Sequence, residues 1–115
     1  MKSIPIFRWQ KGRQQSGYDK MPLILFSWPI RFDVYLLRFP TGSKIPAHID
    51  PNKAGKHFRM NIVLKQAKLG GKFFCEQPIF ETQRIKFFRP DLHFHSVSEI
   101  ISGTRYVLSI GWIKK

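Results

Sequence analysis

The chain has 115 residues, of which 43% are hydrophobic and 15% aromatic; that is one folding unit with enough apolar material to build a core, which excludes wholesale disorder. Lys and Arg number 20 against 7 Asp and Glu, and the resulting net charge of +13 permits attraction to a polyanion without specifying any chemistry. A single cysteine, Cys75, excludes an intramolecular disulfide framework and a cysteine-rich zinc module, and points to a reducing, cytoplasmic setting.

Along the chain, the first twenty residues leave strand, helix and arm equally open. The apolar run at residues 4–7 is too short for a signal-peptide core and is followed by Arg8, Lys11 and Arg13. Residues 21–30 form the most apolar stretch, but they reach about half the length of a bilayer span and contain Pro22 and Pro29, so no membrane association is expected. From there the chain reads as short runs of Val, Ile, Phe, Tyr and Leu, with strands expected at 23–28, 32–39, 44–49, 58–65, 72–76, 84–88, 95–101 and 105–113. Turn chemistry separates them, as at Pro40-Thr41-Gly42, Gly70-Gly71, Arg89-Pro90 and Ser102-Gly103. Eight short strands at this spacing predict an all-β sandwich or jelly roll. The expected organisation is a single domain over 1–115, with 1–30 an N-terminal extension of undetermined structure and 31–115 the core. The basic residues are spread along the chain and form no single helix or tail.

His48 and Asp50 close one predicted strand just before a loop. On an extended chain residues two apart face the same way, about 7 Å apart, so an imidazole and a carboxylate there can converge on one ion. One further histidine from a distant strand would complete a two-His, one-carboxylate triad with open positions, the arrangement suited to non-haem Fe(II). His95 opens the penultimate predicted strand, and Arg105 opens the last one after a Gly-containing turn. A guanidinium stays charged and binds carboxylates with a planar fork. Spacing leaves Arg105 either exposed on the last strand, paired with Glu99, or facing an anionic ligand.

The segment from Arg38 to Asp50, ending Gly42-Ser43-Lys44-Ile45-Pro46-Ala47-His48-Ile49-Asp50, resembles the signature of the 2-oxoglutarate- and Fe(II)-dependent oxygenases. The likeness continues through Arg59-Met60-Asn61-Ile62-Val63-Leu64, Gly70-Gly71-Lys72-Phe73-Phe74, Phe88-Arg89-Pro90-Asp91 and His95-Ser96-Val97, with Arg105 ten positions on, as in the small prolyl-hydroxylase-like branch. It implies a double-stranded β-helix, a jelly roll, in agreement with the strand count. It also implies His48, Asp50 and His95 as iron ligands, Arg105 as the residue that binds the distal carboxylate of 2-oxoglutarate, and O2 as the second cosubstrate. The implied reaction is hydroxylation of a substrate C–H bond with decarboxylation of 2-oxoglutarate to succinate.

Other residues carry narrower expectations. Met60, Ile62 and Leu64 read as the core face of their strand, and Arg59 and Asn61, on the opposite face, as candidates for cosubstrate contact. Arg38 stands where many members of the family place a cosubstrate-contacting tyrosine. His93 is expected to line the site or pack beside it, and Asp91, His93 and His95 form an alternative metal set. His57 is assigned to a loop region, surface or substrate-facing; Tyr35, Tyr106 and Trp112 to the core; and Phe73, Phe87 and Val107 to the walls that exclude water. Two other functions stay open: a cupin-like metal-binding protein that uses no keto acid, and a non-enzymatic basic module that binds nucleic acid. The substrate is not identified by the sequence; the charge leaves a protein side chain or a nucleic acid open as its class, and the oligomeric state is not specified.

Overall fold

A computed structural model describes residues 6–12 and 16–115; Arg13 and the start of the apolar run at 4–7 lie outside them. The described residues form twelve strands: β1 (Gln10–Lys11), β2 (Asp19–Phe26), β3 (Arg31–Phe39), β4 (Ile45–His48), β5 (Lys56–Lys65), β6 (Leu69–Gly70), β7 (Phe73–Cys75), β8 (Phe80–Glu81), β9 (Ile85–Phe88), β10 (His95–Val97), β11 (Ile100–Ser102) and β12 (Arg105–Lys114). None of the described residues forms a helix long and apolar enough to cross a membrane. The predicted strand at 95–101 is two strands, because the chain bends between Val97 and Ile100 and changes sheets. The strand expected at 23–28 begins earlier, at Asp19, and residues 19–26 belong to the large sheet.

That sheet has seven antiparallel strands in the order β1-β2-β3-β12-β5-β9-β8. Opposite it lie a three-stranded sheet, β4-β10-β7, and a two-stranded one, β11-β6. β12 occupies the middle of the large sheet, running from Arg105 opposite Phe39 to Ile113 opposite Arg31 on one side, and pairing with β5 on the other. Two facing antiparallel layers linked in this crossing order are a jelly roll, or double-stranded β-helix.

The period of two decides what each strand shows to either side. On β12 the inward residues Arg105, Val107, Ser109 and Gly111 are buried, and Tyr106, Leu108, Ile110 and Trp112 point outward. Phe39, Val63, Val97, Ile100 and Val107 make the buried core, packed against Tyr18, Leu37, Ile45, Ala67 and Phe73.

β5 reverses the sequence expectation. Its inward side is Arg59, Asn61 and Val63, while Met60 and Ile62 face out and Leu64 is 50% exposed. The polar residues are on the inside because that part of the barrel is a cavity and not close-packed core. Phe87 likewise points outward, stacked with Phe58 and Trp112 at centroid distances of 6.1 and 5.8 Å, and its neighbour Phe88 (1% exposed) takes the inward place.

Candidate metal centre and anion pocket

β4 and β10 are neighbours in the small sheet, with His95 directly opposite His48. Their imidazole rings lie 4.3 Å apart between centroids. The backbone N–H of Asp50 donates to the carbonyl of Pro90 (2.8 Å), which ties the chain after β4 to the segment leading into β10. Asp50 Oδ2 then lies 3.5 Å from His48 Nε2 and 3.4 Å from His95 Nε2. One ligand atom from each of the three residues falls within 4.8 Å of the other two, and among the described residues no other group of His, Cys, Asp and Glu converges in this way.

The imidazoles are oriented from behind. His48 Nδ1 contacts the carbonyl of Pro46 at 2.8 Å, and His95 Nδ1 contacts the carbonyl of His93 at 3.1 Å. A carbonyl oxygen only accepts, so each Nδ1 carries the proton and donates, and in the neutral ring Nε2 presents its lone pair toward Asp50. A histidine that ligates a metal is usually fixed by this same kind of contact through its other nitrogen. The donor set fits a divalent ion held by two nitrogens and one carboxylate, with further positions left open.

The alternative set does not assemble. Asp91 accepts a two-pronged hydrogen bond from Arg89 (2.9 and 2.7 Å). Burial, the largest single influence, raises the Asp91 pKa, but the Arg89 hydrogen bond, backbone hydrogen bonds from His57 and Asp91 itself, and the Arg89 charge together outweigh it and hold the carboxyl below the usual carboxylate range. His93 turns to Glu76 at 3.5 Å and does not line the cavity.

The three residues open onto a cavity of about 400 Å³ between the sheets, within the size range of small-molecule sites. Phe73, Phe88, Ile45 and Val97 give it apolar walls, and Arg105 lies on its lining. Arg105 is 2% exposed. Its guanidinium lies over the Phe39 ring, 5.1 Å from the centroid, and its Nε has no hydrogen-bond partner. No ion pair joins it to Glu99, which is exposed at the surface. Burial without a carboxylate pulls its pKa down to about 10. A buried cation in this state is costly unless an anion shares the cavity.

Arg59 lines the same cavity in the opposite condition. Its Nη2 donates to both carboxylate oxygens of Asp33 (2.8 and 3.0 Å), and its Nη1 donates to Ser109 Oγ (2.8 Å). Ser109 Oγ in turn donates to Asn61 Oδ1 at 2.6 Å. Arg59 and Asn61 thus stand on the cavity wall within a network that already uses their polar atoms. Arg59 Nη2 also reaches His57 Nε2 at 3.3 Å. His57 belongs to β5 and lines the cavity, not a loop; burial, reinforced by the Arg59 charge, pushes its pKa below the usual imidazole range. Tyr35, expected in the core, also lines the cavity, and burial followed by the nearby Asp33 charge raises its pKa. Arg38 points away from the cavity, onto Asp19 (3.0 Å) and the Trp9 ring (3.9 Å). Ser109, Lys20 and Tyr18 line the cavity without having been singled out in the sequence; the same-face spacing of Arg105, Val107 and Ser109 was the available signal for the first.

No family model and no curated protein matches the chain. Solved structures do. The Schizosaccharomyces pombe Cnp3 cupin domain superposes with a TM-score of 0.64 at 13% identity, covering 97% of this chain and 72% of that one. KdgF from Halomonas sp. gives 0.62 at 14% identity, covering 100% and 96%. The chain has the cupin jelly-roll fold. A chain in the structure of Rhodobacter sphaeroides SigE in complex with the anti-sigma ChrR also matches, with a TM-score of 0.52 at 19% identity, over 93% of this chain and 49% of that one. At these identities the likeness extends to the fold alone; within that jelly roll, His48, Asp50 and His95 form a group whose ligand atoms lie close enough together that it could hold a metal ion.

Proposed function

We propose that the protein is an Fe(II)- and 2-oxoglutarate-dependent oxygenase that hydroxylates a C–H bond. One observation carries this reading: the buried guanidinium of Arg105, with no acidic partner among the described residues, lines the same cavity as the His48–Asp50–His95 cluster. A metal site alone needs no such cation. A dicarboxylate anchored at the metal end and reaching Arg105 gives that charge its counterion.

When bound, Fe(II) would activate O2 as the oxidant, and 2-oxoglutarate would supply two of the four electrons as it is oxidatively decarboxylated to succinate and CO2, the other two coming from the substrate C–H bond. The chain supplies binding and orientation. His48, Asp50 and His95 hold the ion through Nε2, Oδ2 and Nε2, with both rings locked by the carbonyls behind them. Arg105 holds the distal carboxylate in a low-dielectric setting, where a charge-assisted fork is strongest. Phe73 and Phe88, packed at 4.9 Å, exclude water from the apolar side. The Arg59–Ser109–Asn61 network keeps the polar side rigid. The +13 charge supports a negatively charged macromolecule, protein or nucleic acid, as the substrate.

A second reading, a cupin-like metal protein that takes no keto acid, draws on the likeness to the Cnp3 cupin domain and KdgF. It needs the triad and leaves Arg105 without a role. Anaerobic titration of the Fe(II)-loaded protein with 2-oxoglutarate separates the two. A visible charge-transfer band that is lost in Arg105→Met supports the oxygenase, and iron binding with no band at any keto-acid concentration rejects it.

A further inference from the structure

The cavity is open at its metal end and closed at the other: the Asp50 side chain is 41% exposed, whereas Arg105 is 2% exposed. Three adjacent strands of the large sheet terminate at the metal end, and each carries a cation there. Arg31 begins β3, Lys114 ends β12 and Lys56 begins β5, with Arg31 opposite Ile113 and Lys56 opposite Lys114. Lys53 joins them from the loop 51–55, which leads from Asp50 into β5. Asn52 folds that loop on itself, accepting from the Ala54 N–H (3.0 Å) and donating to the Gly55 carbonyl (3.1 Å). Gly55 then passes against the backbone of Lys114 with no room for a side chain between them. The fold thus gathers four exposed cations, none of which forms an ion pair with a described residue. Asp33 and Asp91, the acids bordering these strand ends, are each neutralised by an arginine, Arg59 and Arg89. Next to Arg31, the hairpin joining β2 to β3 carries Trp28, which is 82% exposed.

We propose that this rim binds a single-stranded nucleic acid, its phosphates following the four cations while one base turns into the cavity. Lys56 and Lys114 are direct cross-strand partners, and like charges so placed destabilise a sheet. A polyanion reverses that penalty and gains further from the release of its own counterions. Charge alone would admit an acidic peptide equally, and two features favour nucleic acid. An exposed indole offers a base a stacking face, the usual means of holding an unpaired strand. The cavity of about 400 Å³, with Phe73 and Phe88 on its wall, takes a flat ring and nothing as wide as a duplex, so the strand is unpaired where its base enters. That this strand is the substrate rests on the oxygenase reading, whereas its binding needs neither iron nor keto acid, so the two can fail separately.

Fluorescence anisotropy with a labelled mixed-sequence DNA strand of about twelve nucleotides tests this on the full chain without metal. The logarithm of the affinity should fall against the logarithm of salt concentration with a slope of about −2.8, which is about −0.7 for each of four phosphates neutralised. Lys53→Gln combined with Lys56→Gln should bring the slope to about −1.4, and Trp28→Ala should raise Kd at least about fivefold. Lys65→Gln combined with Lys68→Gln removes the same charge at the far end of β5, about 30 Å away and well beyond a Debye length, and should change neither slope nor Kd. All five side chains are exposed, so the variants keep the fold. Equal losses in the two double variants overturn the proposal, as does an unchanged Kd in Trp28→Ala. Tighter binding to the same sequence as a duplex, tighter binding to a poly-glutamate of equal charge, or no binding at about 50 mM salt overturns it too.

Discussion

His48 and His95 come from distant parts of the chain and meet as direct cross-strand partners, their rings 4.3 Å apart and inclined at 54°. Asp50 Oδ2 lies within 3.5 Å of both Nε2 atoms. Each ring is backed by a carbonyl two residues earlier, so its direction is set by its own strand before any ion arrives.

Removing any of the three should therefore remove the ion. His48→Ala, Asp50→Ala and His95→Ala are each expected to weaken Co(II) or Fe(II) binding by at least about 100-fold, beyond the 10- to 100-fold typical of an outer-shell change. His93→Ala, whose ring faces Glu76, should leave binding unchanged. Absorption titration with Co(II) measures both, and succinate formation should follow the same order.

Arg105 should show a trade between stability and ligand use. An unpaired buried guanidinium is a cost to the empty protein, so Arg105→Met is expected to raise stability by about 1–3 kcal/mol. The same change should abolish the rise in melting temperature that 2-oxoglutarate gives to the Fe(II)-loaded wild type. Thermal unfolding with and without the keto acid reads both effects, and a variant less stable than wild type would show that Arg105 has a structural partner.

Most of the architecture was legible in the sequence, since alternating apolar residues and Gly/Pro punctuation locate the long strands. What failed was the choice of face. On β5 the aliphatic residues Met60 and Ile62 suggested core, yet the interior there is a cavity that needs Arg59 and Asn61. Two-residue strands such as Leu69–Gly70 and Phe80–Glu81 exist only through their partners and leave no period to detect. The histidine and aspartate spacing located the metal cluster because same-face geometry is local. That Arg59 is neutralised by Asp33, and Arg105 by no acidic residue among those described, depends on three strands meeting, and spacing alone left three roles for Arg105 open.

Gly70 should not tolerate a side chain. It sits at φ +80° opposite Ile100, where an added Cβ would press on the carbonyl of Glu99 and the amide of Ile101. Left-handed strain and a backbone clash together predict that Gly70→Ala costs at least about 2 kcal/mol, measured by urea unfolding. Gly42, also at positive φ but with open space around it, should lose about 1 kcal/mol on the same change, for strain alone.

His57 should give the fold an acid sensitivity. Its folded pKa lies below the unfolded value near 6.5, so the unfolded chain binds the proton more readily. The stabilisation is complete above that value and is lost as pH falls through the folded pKa. His57→Gln should flatten the fall in melting temperature below about pH 6.5, and a titration of the His57 Cε1 proton by NMR should show a midpoint below the ordinary imidazole value.

β4 is an edge strand, joined to the rest of its sheet only by an irregular pairing with β10, whereas β10 is held on both sides. The two halves of the cluster are therefore held unequally: His95 is an anvil, and His48 with Asp50 is a jaw kept in place by the pairing with β10 and the Asp50 N–H to Pro90 contact. Ion exchange is then expected to proceed by the jaw's lifting and not by global unfolding. A captured ion acts as a rivet across that seam, slowing amide exchange at residues 45–50 far more than in β12.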